Sequence, residues 1–210
     1  MVNRSEVWPI VHAERARLVA DLRCIPDTAW ATPSLCDGWN VHDVVAHLVD
    51  SAKTSRFGFI ARMIRARLDF DRDNDLGVRR RRADDPRTTL EALRAVSDWT
   101  LTPPAPLATR LVEAFVHGED IRRPLGIAAA YPLHAVVTAL TYQARTGAVM
   151  GGGRERIDGL RLVATDSALT FGQGPQVRGR SIDLLMAVSG RPVPVDALDG
   201  PGAAMLVGSV

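Results

Sequence analysis

The chain has 210 residues, of which 46% are hydrophobic and 24% charged, a composition that excludes a disordered chain and a fibrous repeat. Its formal net charge is only +2, from 26 Lys and Arg against 24 Asp and Glu, so we expect no nucleic-acid partner. The sequence contains no apolar run near the ~20 residues of a membrane-spanning helix, so we expect no membrane partner either.

The two cysteines, Cys24 and Cys36, and an opening MVNRSEVW without a basic and then apolar leader predict a reducing, cytoplasmic location. The spacing of the cysteines does not fit a metal site. We therefore interpret them as small hydrophobic residues in or near the core. A reactive thiol is the alternative.

The first part of the chain predicts two helices. Apolar residues recur at helical spacing from Ser5 to Arg23, and the prolines and glycine of IPDTAWATPSLCDGW end this helix. Asn40 is a suitable N-cap for a second helix, which we expect to continue to Leu68 with an interruption near Gly58.

A polar, arginine-rich connection is predicted from Asp69 to Asp85. It contains RRRR at residues 79–82 and is bounded by Gly77 and Pro86. We interpret these arginines as a solvated loop. A patch that binds anions or nucleic acid is the alternative.

Three more helices are predicted in the middle of the chain, from Pro86 to Trp99, from Pro106 to Arg123 and from Pro132 to Gly147. Together with the first two, they make up to five helices joined by short or moderate loops. This pattern predicts a helical bundle.

The character of the sequence changes after residue 150. The glycine-rich segment 151–159 is followed by LRLVA and ALTFG, which flank Asp166-Ser167 and predict a β-hairpin. SIDLLMAVSG then predicts a short helix that ends at Gly190. We therefore predict a mainly α protein with a helical domain at residues 1–150 and a small α+β domain at residues 151–210.

The fourth predicted helix carries a polar stripe opposite its apolar side. The apolar half of the helical wheel is filled by Leu107, Ala108, Leu111, Val112, Phe115 and Val116. The stripe consists of Arg110, Glu113, His117 and Asp120. A solvent-exposed face explains this pattern. Alternatively, Glu113 and His117, one turn apart, are two ligands of one divalent metal.

A metal bound in this way needs a third ligand, for which His47 in the second helix is the candidate. A lone histidine on the flank of an apolar stripe is alternatively a hydrogen-bonded structural residue. We expect His42, close to the helix cap, to face solvent.

Asp43, four residues before His47, and Asp120, three after His117, are candidates to accept the free ring N–H of each histidine. For Asp43, helix capping is the alternative. Two histidines and one glutamate would leave the fourth tetrahedral position open, as in catalytic zinc sites.

The segments PSLCDGWNVHDVVAHLV and EAFVHGEDIRRPLG together resemble the two signature segments of the mycothiol-dependent maleylpyruvate isomerase family, within the wider DinB/YfiT-like metal-binding bundles. VRGRSIDLLMAVSGRPVP is similar to the small C-terminal domain of that family. The resemblance implies a DinB-like four-helix bundle that binds a divalent metal, usually Zn²⁺, through His47, Glu113 and His117.

The resemblance also implies an activity. The thiol mycothiol is the implied cosubstrate, and a metal would favour its deprotonated form. Addition of the thiolate to an activated cis double bond, rotation and elimination would give the trans isomer. An arginine of the C-terminal domain is implied to bind a substrate carboxylate, and Arg178, Arg180 and Arg191 are candidates.

Two other functions stay open at the level of sequence. A thiolate that attacks an electrophile and stays attached would make the protein a mycothiol S-transferase in detoxification. A bundle that holds a metal or ligand without turnover would be a non-enzymatic binding module.

Overall fold

The computed structural model describes residues 3–65 and 70–208. Within these residues, the chain forms nine α-helices and four β-strands. The helices are α1 (Arg4–Arg23), α2 (Val41–Ala52), α3 (Arg56–Arg65), α4 (Phe70–Arg81), α5 (Pro86–Arg94), α6 (Ala108–Arg122), α7 (Leu133–Arg145), α8 (Ser181–Val188) and α9 (Ala203–Val207). The strands are β1 (Arg161–Ala164), β2 (Thr170–Gly172), β3 (Gln176–Gly179) and β4 (Leu198–Asp199).

The chain divides into two compact units that do not follow chain order. The first unit consists of Met1–Arg110 and Asp120–Ala129, and the second of Leu111–Glu119 and Ala130–Val210. The domain boundary predicted near residue 150 lies within the second unit. Division into residues 1–150 and 151–210 stays a prediction.

The first unit is built around α2, which packs against α4 and α5, while α1 packs against α5. A capping box fixes the start of α2: the Asn40 side chain accepts from the Asp43 N–H at 3.0 Å, and Asp43 Oδ2 accepts from the Asn40 N–H at 3.1 Å. The buried face of α2 contributes Val41, Val44, Val45, Leu48, Val49 and Ala52 to the core. This apolar face is the one that the helical spacing predicts.

A buried arginine links the end of α6 to α1 within the first unit. Arg122, at the end of α6, is fully buried and forms ion pairs with Glu14 and Asp21 of α1. Its Nε donates to Asp21 Oδ2 at 2.7 Å, and its Nη1 donates to Glu14 Oε1. These carboxylates offset the cost of removing a guanidinium from water.

The structure corrects two predictions about the segment after α2. The helix ends at Ala52 and a new helix begins at Arg56, so the interruption falls at residues 53–55 and not near Gly58. The solvated loop predicted at residues 79–82 is wrong, because α4 continues to Arg81. Arg81 and Arg82 form ion pairs with Asp50 and Asp43 of α2, so these carboxylates, and not water alone, balance their charge. Residues 66–69 of the predicted second helix and connection lie outside the described residues.

The second unit contains a four-stranded sheet with strand order β2-β1-β3-β4. The predicted hairpin is confirmed, since β1 pairs antiparallel with β2 in the register Leu162 to Phe171. β3 lies parallel to β1 and antiparallel to β4. The predicted helix is also confirmed as α8, which packs against α7 and is followed by Gly190 at φ +74°.

One hydrogen-bonded corner joins the hairpin turn to α8. Asp166 Oδ1 accepts from the backbone N–H of Ser181 at 2.9 Å and from its hydroxyl at 2.6 Å. Ser181 is fully buried at the start of α8. The mainly helical fold with a small α+β part, as predicted, is confirmed.

The cysteines differ in their surroundings. Cys36 is half-buried and packs against the core of the first unit, but Cys24 is exposed, so its predicted place in or near the core is wrong. Cys24 is the C-cap residue of α1, and its side chain is exposed although the next residue, Ile25, is part of the core. Within the described residues, no helix is long and apolar enough to cross a membrane.

Candidate metal and substrate site

The polar stripe of α6 is not a solvated face. Arg110 and Asp120 are buried, and Glu113 and His117 are half-buried. The apolar residues Leu111, Phe115 and Val116 are buried as the helical wheel predicts. The explanation of the stripe as a solvent-exposed helix face is therefore wrong. Exposure to water does not account for these four polar side chains.

Residues 111–119 of α6 are anchored in the second unit by Tyr131. The Tyr131 hydroxyl donates to Glu119 Oε1 at 2.7 Å, and its ring lies 4.9 Å, centroid to centroid, from the ring of Phe115. Glu113 and His117 lie one turn apart on this anchored segment. Side chains at this spacing share one face of the helix and can reach a common ligand.

His47 lies in the first unit, half-buried on α2. The indole of Trp39 lies against its imidazole, with ring centroids 5.1 Å apart and planes at 44°. Trp39 in turn donates from Nε1 to Asp75 Oδ1 of α4 at 3.1 Å. Sequence reasoning missed Trp39 and Asp75 as neighbours of the candidate ligand, although Trp39 stands within the signature segment.

The structure shows what the two carboxylates near the histidines contact. Asp43 caps α2 with Oδ2, while its Oδ1 accepts from Nε of Arg82 at 2.8 Å, so the capping interpretation is confirmed. The Asp120 backbone carbonyl accepts from the Leu35 N–H at 3.1 Å. For both carboxylates, orientation of a histidine ring stays a prediction.

The second histidine of the segment has a structural role. His42 is only 2% exposed, which contradicts its predicted exposure, and its Nε2 lies 2.8 Å from Thr89 Oγ1 of α5. Burial, and then the positive charge of Arg82, lower the pKa of His42 below its ordinary value of 6.5. His42 is therefore a neutral hydrogen-bonding residue at neutral pH.

The predicted metal ligands come from different units. Neither unit contains, among its described residues, a group of three or more His, Cys, Asp or Glu side chains arranged to hold a metal ion. The donor chemistry of His47, Glu113 and His117 does fit a divalent metal such as Zn²⁺, and all three are accessible in part. Their assembly into one site stays a prediction.

Residues 11–98 match the sequence model of the family described as the mycothiol maleylpyruvate isomerase N-terminal domain. The family resemblance is confirmed. The matched residues include Trp39, His47 and Asp75. Glu113, His117 and the arginines of the C-terminal part lie beyond the end of the match to this maleylpyruvate isomerase domain.

The fold over nearly the whole chain is similar to solved structures of the mycothiol-dependent maleylpyruvate isomerase. One crystal structure of that enzyme has a TM-score of 0.67 at 15% identity and covers 96% of this chain and 94% of its own. The crystal structure of a His-to-Ala mutant has a TM-score of 0.66 at the same identity and coverage. At this identity, the likeness shows that the chain has the maleylpyruvate isomerase fold. No curated protein matches the sequence significantly.

The structure brings together two of the three candidate arginines. Arg178 on β3 and Arg180 at the start of α8 line one cleft of about 250 Å³, and Arg191 is not among its lining residues. The same cleft is lined by three carboxylates, those of Asp183, Asp196 and Asp199. These negative charges reduce the affinity of the cleft for an anionic substrate.

The three arginines differ in how firmly they are held. Arg178 is 3.4 Å from Asp199, and Arg180 is 72% exposed with Asp166 at 4.0 Å. Arg191 is half-buried and donates from Nη1 to the Ser189 carbonyl at 3.3 Å. Their role in substrate binding stays a prediction.

Proposed function

We propose that this protein is a mycothiol-dependent metalloenzyme in which a thiolate adds to an electrophilic small molecule and promotes its cis-trans isomerisation. The domain match at residues 11–98 and the maleylpyruvate isomerase fold support the proposal. A cytoplasmic location and the absence of a nucleic-acid partner stay predictions.

The observation that carries the proposal is the polar stripe of α6. Glu113 and His117 are donors for a divalent metal, are only half-buried, and lie between the buried residues Arg110 and Asp120. A carboxylate and an imidazole held one turn apart in this setting are well suited to a metal and poorly explained by solvation.

We assign His47, Glu113 and His117 as the ligands. A divalent metal, expected to be Zn²⁺, would favour the deprotonated form of a coordinated thiol when bound there. Trp39 lies against the His47 ring, and we expect this contact to restrict the rotation of the imidazole.

The protein's remaining tasks are to bind and orient the substrate. Arg178, Arg180 and Arg191 are candidates to bind a substrate carboxylate through paired N–H donors. We give priority to Arg180 over Arg178, the other arginine of the cleft. Arg180 is the more exposed of the two, and its carboxylate partner lies 4.0 Å away, compared with 3.4 Å for Arg178.

The proposed reaction needs no nucleophile from the protein. The thiolate sulfur forms a bond to one carbon of the cis double bond, and the electron pair is delocalised into the adjacent carbonyl. Rotation about the resulting single bond and loss of the same thiolate then give the trans isomer. Substrate and product have the same composition, and the thiol is regenerated.

The first experiment measures the metal content of the purified protein by elemental mass spectrometry. We expect about one divalent metal ion per chain, its loss in His117→Ala, and its retention in His134→Ala. His134 is an exposed histidine of α7 and provides the matched control. Absence of metal in the wild type, also after incubation with zinc, would contradict the proposal.

The second experiment incubates the metal-loaded protein with mycothiol and maleylpyruvate, and then with a panel of electrophiles. Formation of the trans isomer with no consumption of thiol supports the isomerase. Stoichiometric thiol consumption with a stable adduct would instead identify an S-transferase. Metal binding without turnover in either assay would leave a binding module.

A further inference from the structure

A small positively charged cleft lies in the first unit, where α2 ends and α3 and α4 pass close to it. It has a volume of about 130 Å³. Its charged lining residues are Asp50, Lys53, Arg62, Arg80 and Arg81, and Ser55 also lines it. It contains none of the candidate metal ligands or substrate-binding arginines.

The floor of the cleft is the buried carboxylate of Asp50. Arg62 Nη1 lies 2.6 Å from Oδ2, Arg81 Nε lies 3.2 Å from Oδ1, and Arg80 Nη2 lies 3.6 Å from Oδ2. The backbone of Gly77 is so close that a Cβ there would lie 2.6 Å from Oδ2. Asp50 is therefore fixed by α3 and α4 together and holds the arginines in place.

Arg62 is held in this framework by all three of its guanidinium nitrogens. Its Nε and Nη2 donate to Asp73, and its Nη1 donates to Asp50 and to the Thr54 hydroxyl at 2.8 Å. These partners use the donors along the whole fork of its guanidinium.

The cleft carries more positive charge than its carboxylates neutralise. Lys53, Arg62, Arg80 and Arg81 stand against the two carboxylates of Asp50 and Asp73. Among the described residues, Lys53 has no ion-pair partner, and Arg80 makes only the 3.6 Å contact with Asp50. Donors on Lys53, Arg80 and Arg81 thus remain for a further group.

We propose that this cleft binds a small oxyanion of phosphate type. Lys53, Arg80 and Arg81 would supply charged donors, and the Ser55 hydroxyl a neutral one. The volume admits a phosphoryl group, but it is well below the roughly 300–1,000 Å³ of pockets that enclose a whole organic ligand. The site would give Arg80 and Arg81 of the arginine run a function. It does not depend on the proposed metal or thiol chemistry.

The test is a calorimetric titration of the full-length protein with inorganic phosphate at fixed ionic strength. We expect saturable binding to the wild type with one phosphate per chain. The Lys53→Gln/Arg80→Gln double variant should bind at least about tenfold more weakly, because it removes two of the charged donors to the anion.

Arg79→Gln is the matched control. Arg79 belongs to the same arginine run on α4, is exposed and does not line the cleft. The phosphate affinity of Arg79→Gln should therefore stay within about twofold of that of the wild type. Equal weakening in Arg79→Gln and the double variant would show nonspecific charge attraction and overturn the site. Absence of saturable binding to the wild type would overturn it directly, whatever the variants do.

A competition experiment identifies the source of the oxyanion. Displacement of inorganic phosphate by glycerol phosphate would support a site for the phosphoryl group of a larger molecule. Failure of glycerol phosphate to compete, with retained binding of inorganic phosphate, would support a site for the free ion.

Discussion

The indole of Trp39 lies against the imidazole of His47, with 5.1 Å between the ring centroids. The indole is itself fixed by the hydrogen bond from its Nε1 to Asp75 of α4. A candidate metal ligand on α2 is thus oriented by a residue of the preceding loop, which is held by another helix.

We expect Trp39→Leu to weaken zinc binding by about tenfold, near the lower end of the effects found when residues that orient metal ligands are removed. Loss of the ring lets the His47 imidazole rotate and exposes it to water. The dissociation constant measured in competition with a chelator tests this, with Trp99→Leu, another partly exposed tryptophan, as the control. Equal zinc affinity in Trp39→Leu and wild type would contradict the role of Trp39.

We expect the free energy of unfolding to fall as the pH drops below about 6.5, in part because of His42. Burial lowers the pKa of folded His42, so the unfolded chain binds a proton at a higher pH than the folded chain does. Proton binding therefore stabilises the unfolded state relative to the folded state. This contribution to stability is present above the unfolded pKa and is lost as pH falls towards the folded pKa. One such group gives a slope of up to about 1.4 kcal/mol per pH unit.

Urea denaturation of wild type and His42→Gln between pH 8 and pH 5, a range of roughly three units around the histidine pKa, isolates this contribution. The difference in stability between the two proteins should shrink as the pH falls. His134→Gln, in which an exposed histidine is replaced, should parallel the wild type. A constant difference between wild type and His42→Gln across the range would contradict the prediction.

We expect Arg122→Met to lower the free energy of unfolding by about 3–5 kcal/mol. Among the described residues, the substitution leaves the buried carboxylate of Glu14 with only the half-exposed Arg17, 3.5 Å away, as an ion-pair partner. Arg94→Met, which removes an exposed pair with Glu91, should cost less than about 1 kcal/mol. Urea denaturation of both variants measures the contrast. A similar loss in the free energy of unfolding for Arg122→Met and Arg94→Met would show that burial of the ion pair does not determine its contribution to stability.

Alanine variants of two glycines in the second unit distinguish the cost of backbone strain from the cost of a steric clash. Gly159 and Gly172 both have positive φ, but a Cβ at Gly159 meets nothing within 4 Å, whereas one at Gly172 meets the Leu160 carbonyl oxygen. Gly159→Ala should cost about 1–2 kcal/mol of strain. Gly172→Ala should cost about 1–3 kcal/mol more.

Thermal and urea denaturation of the two alanine variants measure this difference. A Gly172→Ala variant as stable as Gly159→Ala would show that β2 moves away from β1 at little cost. The pair therefore reports on the rigidity of the hairpin.

The pattern of neighbouring residues was sufficient to predict much of the secondary structure. The apolar spacing of α1, α2 and α6, the cap at Asn40 and the turn at Asp166-Ser167 each depend on residues within a few positions of one another. The candidate ligands could also be named from sequence, because carboxylate and imidazole at helical spacing are visible without coordinates. Their assembly into one site stays a prediction.

The sequence determined the helical class, the hairpin and the chemical identity of the candidate donors, since these follow from short-range spacing and residue type. Tertiary structure alone decided that residues 79–81 of the arginine run are helical, that His42 is buried against Thr89, and that Trp39 is held by Asp75. His42 and Thr89 are 47 residues apart, and Trp39 and Asp75 are 36 apart. Whether such side chains meet water or each other depends on how the helices pack, because burial is a property of the folded chain and not of the neighbouring residues in sequence.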